Sequence, residues 1–252
     1  MVKGQAGQRP TRREASLAAR LRDIVMPPFP EPTGPVRAGF QEWLDEIDDE
    51  LISSALTLVD ALPRAVRALL HADHGAVDEL RVATYDVQGR CRHVEEQGFL
   101  LLAREAPVAG DLRRLVGILR LILSVDRTAA LVRHVAEATD HVDATRMPQE
   151  IRTTLEDFAA RTVEVLRRGI DAWRQRDGLA VHEVNQLDES VDHLQVHLLA
   201  EVREQVTDPA ELVLLGLLAR YLERIADHGV AFAQHACFAV TGERVDVGRL
   251  EP

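Results

Sequence analysis

The chain has 252 residues, 41 acidic against 30 basic, and a formal net charge of −11. That balance excludes a surface built to neutralise nucleic-acid phosphates, which needs a basic face. Aromatics make up 4% and hydrophobics 46% of the residues, a composition that suits helices packed on helices better than sheets.

Residues 1–35 hold six basic residues against three acidic ones and end in the proline cluster MPPFPEPTGP at 26–35. They read as a disordered or loosely helical arm closing in a stiff linker. Nothing like the apolar core of a signal peptide follows Lys3. The longest apolar run, LVLLGLLA at 212–219, stops at Arg220, far short of the ~20 residues a membrane span needs. Cys91 and Cys237 lie far apart, without metal-knuckle spacing, and read as reduced thiols. A soluble, cytoplasmic chain without membrane insertion is expected.

From residue 36 onward apolar residues recur at three- and four-residue spacing, as in Leu44, Ile47, Leu51, Ala55, Leu58 and Leu62, or Leu187, Val191, Leu194 and Leu198. The pattern predicts helices near 37–72, 76–104, 109–141, 149–177, 180–205 and 209–240, with Pro63 bending the first. Asp73-His74-Gly75 and Asp177-Gly178 mark stops in which glycine is expected to take the left-handed conformation. Asp208-Pro209 marks a start, with Asp208 as cap and Pro209 at the first helical position. The six helices are three, repeated. HADHGAVDELRVATYD (71–86) parallels RQRDGLAVHEVNQLD (174–188), and DLRRLVGILRLILSVDR (111–127) parallels DPAELVLLGLLARYLER (208–224). The expected fold is all-α, a tandem duplication of a three-helix bundle at 36–143 and 147–243, followed by a flexible tail at 244–252.

Acids are frequent enough that pairs four residues apart arise by chance, and Asp45/Asp49 and Glu46/Glu50 read as solvated pairs. Asp188/Asp192 and Glu223/Asp227 are placed differently. Each acid follows a core residue (Leu187, Val191, Leu222, Ala226), which sets both pairs on the shoulder of an apolar stripe where antiparallel helices meet. Four carboxylates converging there repel one another, and partial burial raises the cost. A cation would relieve it, and clustered carboxylates suit Mg, Ca, Mn or Fe, with Zn also possible. The competing reading is that Arg220 and Arg224 neutralise the acids as surface ion pairs worth under about 1 kcal/mol each.

D-x-x-V-D at 188–192, AREAPVAGDLRRL at 103–115 and Y-L-E-R-I-A-D-H at 221–228, on a duplicated three-helix unit, resemble the PhoU family over residues 38–243. The resemblance implies two three-helix bundles and a non-enzymatic, cytoplasmic regulator of phosphate transport and phosphate-starvation signalling. As partners it implies the ATPase subunit of a phosphate ABC transporter and a sensor histidine kinase at the inner face of the membrane. A homodimer is expected as well. The family's repeated Glu/Asp-x-x-x-Asp binds metal clusters, which implies Fe, Zn, Mn or Mg at Asp188, Asp192, Glu223 and Asp227. The first half departs from this pattern, carrying Arg90 four residues after Asp86 and Ala130 four residues after Asp126. There no cluster is expected, and Arg90 is expected to pair with Asp86 or Asp126, leaving that face free for a protein contact.

His193, His228 and His235 fall near the second-half acids, with His228 projecting to a different face. His71, His74, His134 and His141 read as partners of helix C-termini. Two alternatives share the helical fold. A di-metal carboxylate enzyme characteristically uses Glu-x-x-His on two helices, which this sequence lacks. A helical scaffold or adaptor with solvated acids differs only in metal and partner.

Overall fold

A computed structural model of the chain describes residues 35–245. The arm at 1–35 and the tail at 244–252 lie almost wholly outside the described residues. Two compact units divide the chain at 39/40, and everything below concerns the second, residues 40–252. Among the described residues six α-helices follow in order: α1 (Pro35–His71), α2 (His74–Glu105), α3 (Ala109–Glu137), α4 (Gln149–Gln175), α5 (Ala180–Gln205) and α6 (Pro209–Thr241). The sequence-predicted third helix is shorter than expected, because a 3-10 turn at Ala138–Asp140 completes it. Pro63 lies inside α1, which continues on both sides of it.

The helices stop for a different reason from the one the sequence indicates. The left-handed residues are Ala72 and Arg176, one or more positions before the glycines. In each turn the amide after the left-handed residue bonds back five positions, Asp73 N–H to the Ala68 carbonyl and Asp177 N–H to the Ala172 carbonyl, both at 2.9 Å. The same aspartates then cap the next helix: Asp73 accepts from Ala76 N–H at 3.0 Å, and Asp177 from Leu179 and Ala180 N–H. One aspartate ends a helix and starts another in both halves, so an adjacent glycine is unnecessary. Asp208 caps α6 through Ala210 N–H, with Pro209 opening the helix.

The stripe named on α1 is buried, whereas on α5 Val191 and Leu198 are buried and Leu187 and Leu194 only partly so. Leu44, Leu51, Leu58 and Leu62 on α1 are each at most 1% exposed. On α2 the buried residues Val77, Leu80, Thr84, Val87, Cys91, Val94, Gly98 and Leu101 alternate by three and four, the seam of a left-handed coiled coil. In the second half α4, α5 and α6 all pack on one another; α2 packs on α3 in the first half, and α3 packs on α6 between them. At the tightest crossing, α4 and α6 meet backbone to backbone. A Cβ on Gly169 would fall on the Gly229 carbonyl, and one on Gly229 would meet the Leu166 backbone at 2.8 Å.

Contacts along α3 and α6 show that these helices run antiparallel. Arg113 donates to the Ala239 carbonyl at 3.2 Å, and the His134 and Tyr221 rings stand 5.6 Å apart. Between these ends Arg120 and Arg127 of α3 act on His235 and His228 of α6. Arg113, Arg120, Arg127 and His134 are spaced by seven, as are Tyr221, His228 and His235. Near one end of this seam the two halves share a buried carboxylate. Asp48 of α1, 4% exposed, accepts from Trp173 Nε1 at 2.6 Å, from Arg114 Nε and Nη2 at 2.8 and 2.6 Å, and from Arg176 Nη2 at 3.1 Å. The Trp173 ring lies against Gly117 so closely that a Cβ there would overlap it.

Asp48→Asn removes a charge held by two arginines and leaves buried donors short of an acceptor, so about 2–4 kcal/mol of stability should be lost in urea unfolding. Its exposed neighbour supplies the control: Asp45→Asn should cost under about 1 kcal/mol. Gly169→Ala should cost about 1–3 kcal/mol by forcing α4 and α6 apart, whereas Gly110→Ala, with open space around it, should cost less than half as much.

Candidate functional site

The second-half acids sit where α5 lies along α6. On α5, Val181, Val184, Val191, Leu198 and Val202 are buried and follow a three-four alternation whose missing members are 188 and 195. Asp188 therefore occupies a core register position, and it is half-buried. Burial first, and then the charges of Asp227, Asp192 and Glu223, together push its carboxyl up to about 7. Glu223 is 8% exposed between Leu222 and Ala226 of α6, the helix that packs against three others. Burial raises its carboxyl, Asp227 raises it further, and the Arg220 guanidinium, donating to its Oε2, opposes both. Asp227 is half-buried, and Asp192 is exposed on the outer side of α5.

The four acids predicted from sequence thus act electrostatically on one another. Among the described residues, however, no group of three or more His, Cys, Asp or Glu side chains stands ready to hold a metal ion. In donor chemistry the set fits a hard or borderline cation, because every available ligand atom is a carboxylate oxygen. The Asp188 and Glu223 carboxyls are raised first by burial and then by neighbouring carboxylates, and a cation would offset both. A shared coordination sphere would require the side chains to turn toward one another. Arg220 does pair with Glu223, as the competing reading requires. Arg224 instead acts on His228.

In the first half the corresponding positions have found other partners. Arg90 turns away from the acids and donates to Thr57 Oγ1 at 3.1 Å and Ser53 Oγ at 3.5 Å on α1. The expected pairing with Asp86 or Asp126 is replaced because α1 offers two hydroxyls nearer the helix seam. Asp126 accepts from Gln88 Nε2 at 3.1 Å, and Gln88 in turn accepts from Arg133, whose guanidinium lies 4.4 Å from the centre of the Tyr85 ring. Asp86 is exposed, and Ala130 is half-buried with no ligand atom to offer. The first half has traded carboxylates for an amide and an arginine, so its single seam acid is satisfied by protein groups.

His71 and His134 stand in the last turns of α1 and α3, as expected, and His228 projects away from the acids. His193 is exposed on α5, while His228 and His235 face α3 and its arginines. His74 opens α2 instead of closing a helix, and its Nδ1 meets Asp140 at 3.0 Å. Asp48 was the residue sequence reasoning passed over. Its signal was register: between Leu44, Ile47 and Leu51 it lies in the apolar stripe, where an acid needs dedicated partners.

An all-helical protein, built twice from one three-helix unit and retaining an acidic pair on each of two packed helices in one half, is the class that fold and site define. The PhoU domain model matches the chain twice, at residues 52–139 and 155–236. A phosphate-specific transport system accessory protein PhoU homolog 1 of Mycobacterium leprae is 31% identical over 214 residues, 82% of this chain and 95% of that protein. The PhoU homolog 2 of Mycobacterium tuberculosis is 30% identical over 210 residues, 82% and 99% respectively. Crystal structures of PhoU from Pseudomonas aeruginosa and of the phosphate transport system regulatory protein PhoU from Streptococcus pneumoniae share the fold. Their TM-scores are 0.75 and 0.74 at 22% and 19% identity, over 81% and 82% of this chain and the whole of each structure. The chain belongs to the PhoU family.

A carboxyl held above its ordinary range favours the folded state most when protonated. The Asp188 contribution is therefore fully present below about pH 4 and is lost as pH rises through about 7. With a chelator present, wild-type Tm should fall between about pH 5 and 8. Asp188→Asn should flatten that fall and melt above wild type at the alkaline end, as read by circular dichroism.

Proposed function

We propose that this chain is a cytoplasmic regulator of phosphate uptake and phosphate-starvation signalling. It acts by contact with the ATPase subunit of a phosphate ABC transporter and with a sensor histidine kinase, and keeps starvation genes off when phosphate is sufficient. The observation that carries this reading is family membership across both halves, with relatives named as accessory proteins of phosphate-specific transport. Among the described residues no helix is long and apolar enough to cross a membrane, so membrane proximity would come through partners. The role is one of binding and conformation, with no catalytic step assigned to any residue.

Within that role Asp188, Asp192, Glu223 and Asp227 bind a cation, with Fe, Zn, Mn and Mg the candidates. The support is their mutual repulsion on a half-buried seam and the absence of any matching excess of acid in the first half. Cation binding would draw α5 and α6 together on one side of the molecule only. The first-half seam, satisfied internally, is left for protein contact. A homodimer is part of the proposal, supported by exposed Val196 and Leu199 on α5 beside Leu212, Val213 and Leu217 on α6. A second reading, a metal-free helical adaptor, is favoured by the lack of a ready three-ligand group.

Deleting the gene should leave a phosphate-starvation reporter on in phosphate-replete medium, with repression restored by the intact chain. A reporter that stays off in the deletion strain would overturn the regulatory reading. Metal content by mass spectrometry on untagged protein decides between the two site readings. Near-stoichiometric metal that disappears in Glu223→Ala/Asp227→Ala supports the cation site, and equally negligible metal in both supports the adaptor.

A further inference from the structure

The antiparallel seam between α3 and α6 carries a row of cationic and imidazole groups that the acidic site does not use. At one point it opens into a cavity of about 240 Å³ lined by Arg120, Gln234, His235, Phe238, Arg244 and Val245. Arg120 comes from the first half; Gln234, His235 and Phe238 come from α6, and Arg244 from the segment just after it. No acid lines the cavity. Among the described residues neither Arg120 nor Arg244 has a carboxylate partner, and the contact recorded for Arg244 is with the Phe238 ring, 6.0 Å from its centre. In a chain of net charge −11, two exposed arginines lining one cavity with no acid among its lining residues depart from the acidic balance of the whole. The contrast is with Arg114 and Arg176, which meet over the carboxylate of Asp48.

We propose that this cavity is a binding site for a small tetrahedral oxyanion of the phosphate class. The donor set selects that class. One guanidinium already saturates both oxygens of a simple carboxylate through its paired N–H groups. A second guanidinium, an imidazole and an amide approaching from two elements require a ligand with more oxygens and more than one charge. Phosphate and sulfate meet both conditions, and acetate meets neither.

The electrostatics of His235 are compatible with an anion beside it. Burial first, and then the charges of Arg120 and Arg244, together hold its imidazole down to about 4. These are the charged groups acting on it from α3 and from the segment after α6. The ring is therefore neutral near pH 7 and available as a hydrogen-bond donor, with its tautomer free to follow the ligand. A bound dianion would offset the two arginines and raise the imidazole, so binding should take up a fraction of a proton. One heptad along the same seam, His228 repeats part of the pattern: it faces Arg127 and Arg224, and its buried Nε2 has no hydrogen-bond partner. The cavity joins the two halves, so an occupant would bridge α3 and the end of α6.

The site stands on the cavity's own residues and is independent of the regulatory reading. The test is isothermal titration of the full chain with inorganic phosphate, with sulfate and acetate as separate arms, on wild type, Arg120→Ala, Arg244→Ala and the exposed control Asp45→Asn. The expected result is saturable binding of phosphate and of sulfate, with acetate at least tenfold weaker. Each arginine variant should weaken phosphate binding tenfold or more while its circular dichroism melt stays within a few degrees of wild type. The Asp45→Asn variant should bind as wild type does. Absence of saturable phosphate binding, equal binding of acetate, or phosphate binding unchanged in both arginine variants would overturn the proposal. Failure here beside a derepressed deletion strain would remove the pocket and leave the regulator. Binding beside a silent reporter would do the reverse.

Discussion

The carboxylate of Asp48 is the constraint around which the two halves are arranged. It is taken out of water on α1 and receives donors from α3, from the indole of α4 and from the residue that ends α4. An ionised carboxylate so buried is tolerable only while those donors keep their positions. Its requirement therefore fixes where α4 lies against the first half. The Trp173 ring then fills the space that Gly117 leaves on α3. Arg152 secures the other end of α4, donating to the Leu70 and Ala144 carbonyls at 2.7 Å each. With α4 located and its backbone pressed against α6 at Gly169 and Gly229, α6 has little freedom left, and the α3–α6 seam follows.

Against that fixed frame the duplicated halves have diverged in charge and kept their geometry. Both use one aspartate to end a helix and cap the next, at Asp73 and Asp177. Both present an acid on the corresponding helix pair, Asp86 and Asp126 in one half, Asp188 and Glu223 in the other. The first half meets its seam acid with Gln88 and Arg133 and sends Arg90 to hydroxyls on α1. The second half leaves four carboxylates with Arg220 as the cation paired to Glu223. Excess carboxylate is thus gathered on the α5–α6 side of the molecule, and a cation would act there.

The opposite excess lies on the α3–α6 seam, where arginines face histidines across the boundary between halves. Acids gather between α5 and α6, and cations between α3 and α6. Helix α6 separates the two, with Glu223 and Asp227 on one side and His228 and His235 on the other. A ligand on either side would change the balance of charge along the same helix. That places both candidate sites on a helix packed against α3, α4 and α5, where a small shift is transmitted to three neighbours.

Sequence by itself determined the six helices, the duplication and the acid pairs. Each rests on local periodicity, on caps a few residues long or on similarity between two stretches of one chain. It also held the register that buries Asp188 and Asp48, since each falls between residues of an apolar stripe. What only the tertiary structure decided concerns partners distant in the chain. Nothing near Arg90 indicates that it turns to Ser53 and Thr57 instead of to an acid one turn away. Likewise the spacing by seven of Arg113, Arg120 and Arg127 has no meaning until α6 is laid antiparallel beside it. The physical reason is that periodicity fixes which face of a helix is buried, whereas the identity of the group across the seam depends on how whole helices dock. That docking is set here by one buried carboxylate and a glycine crossing.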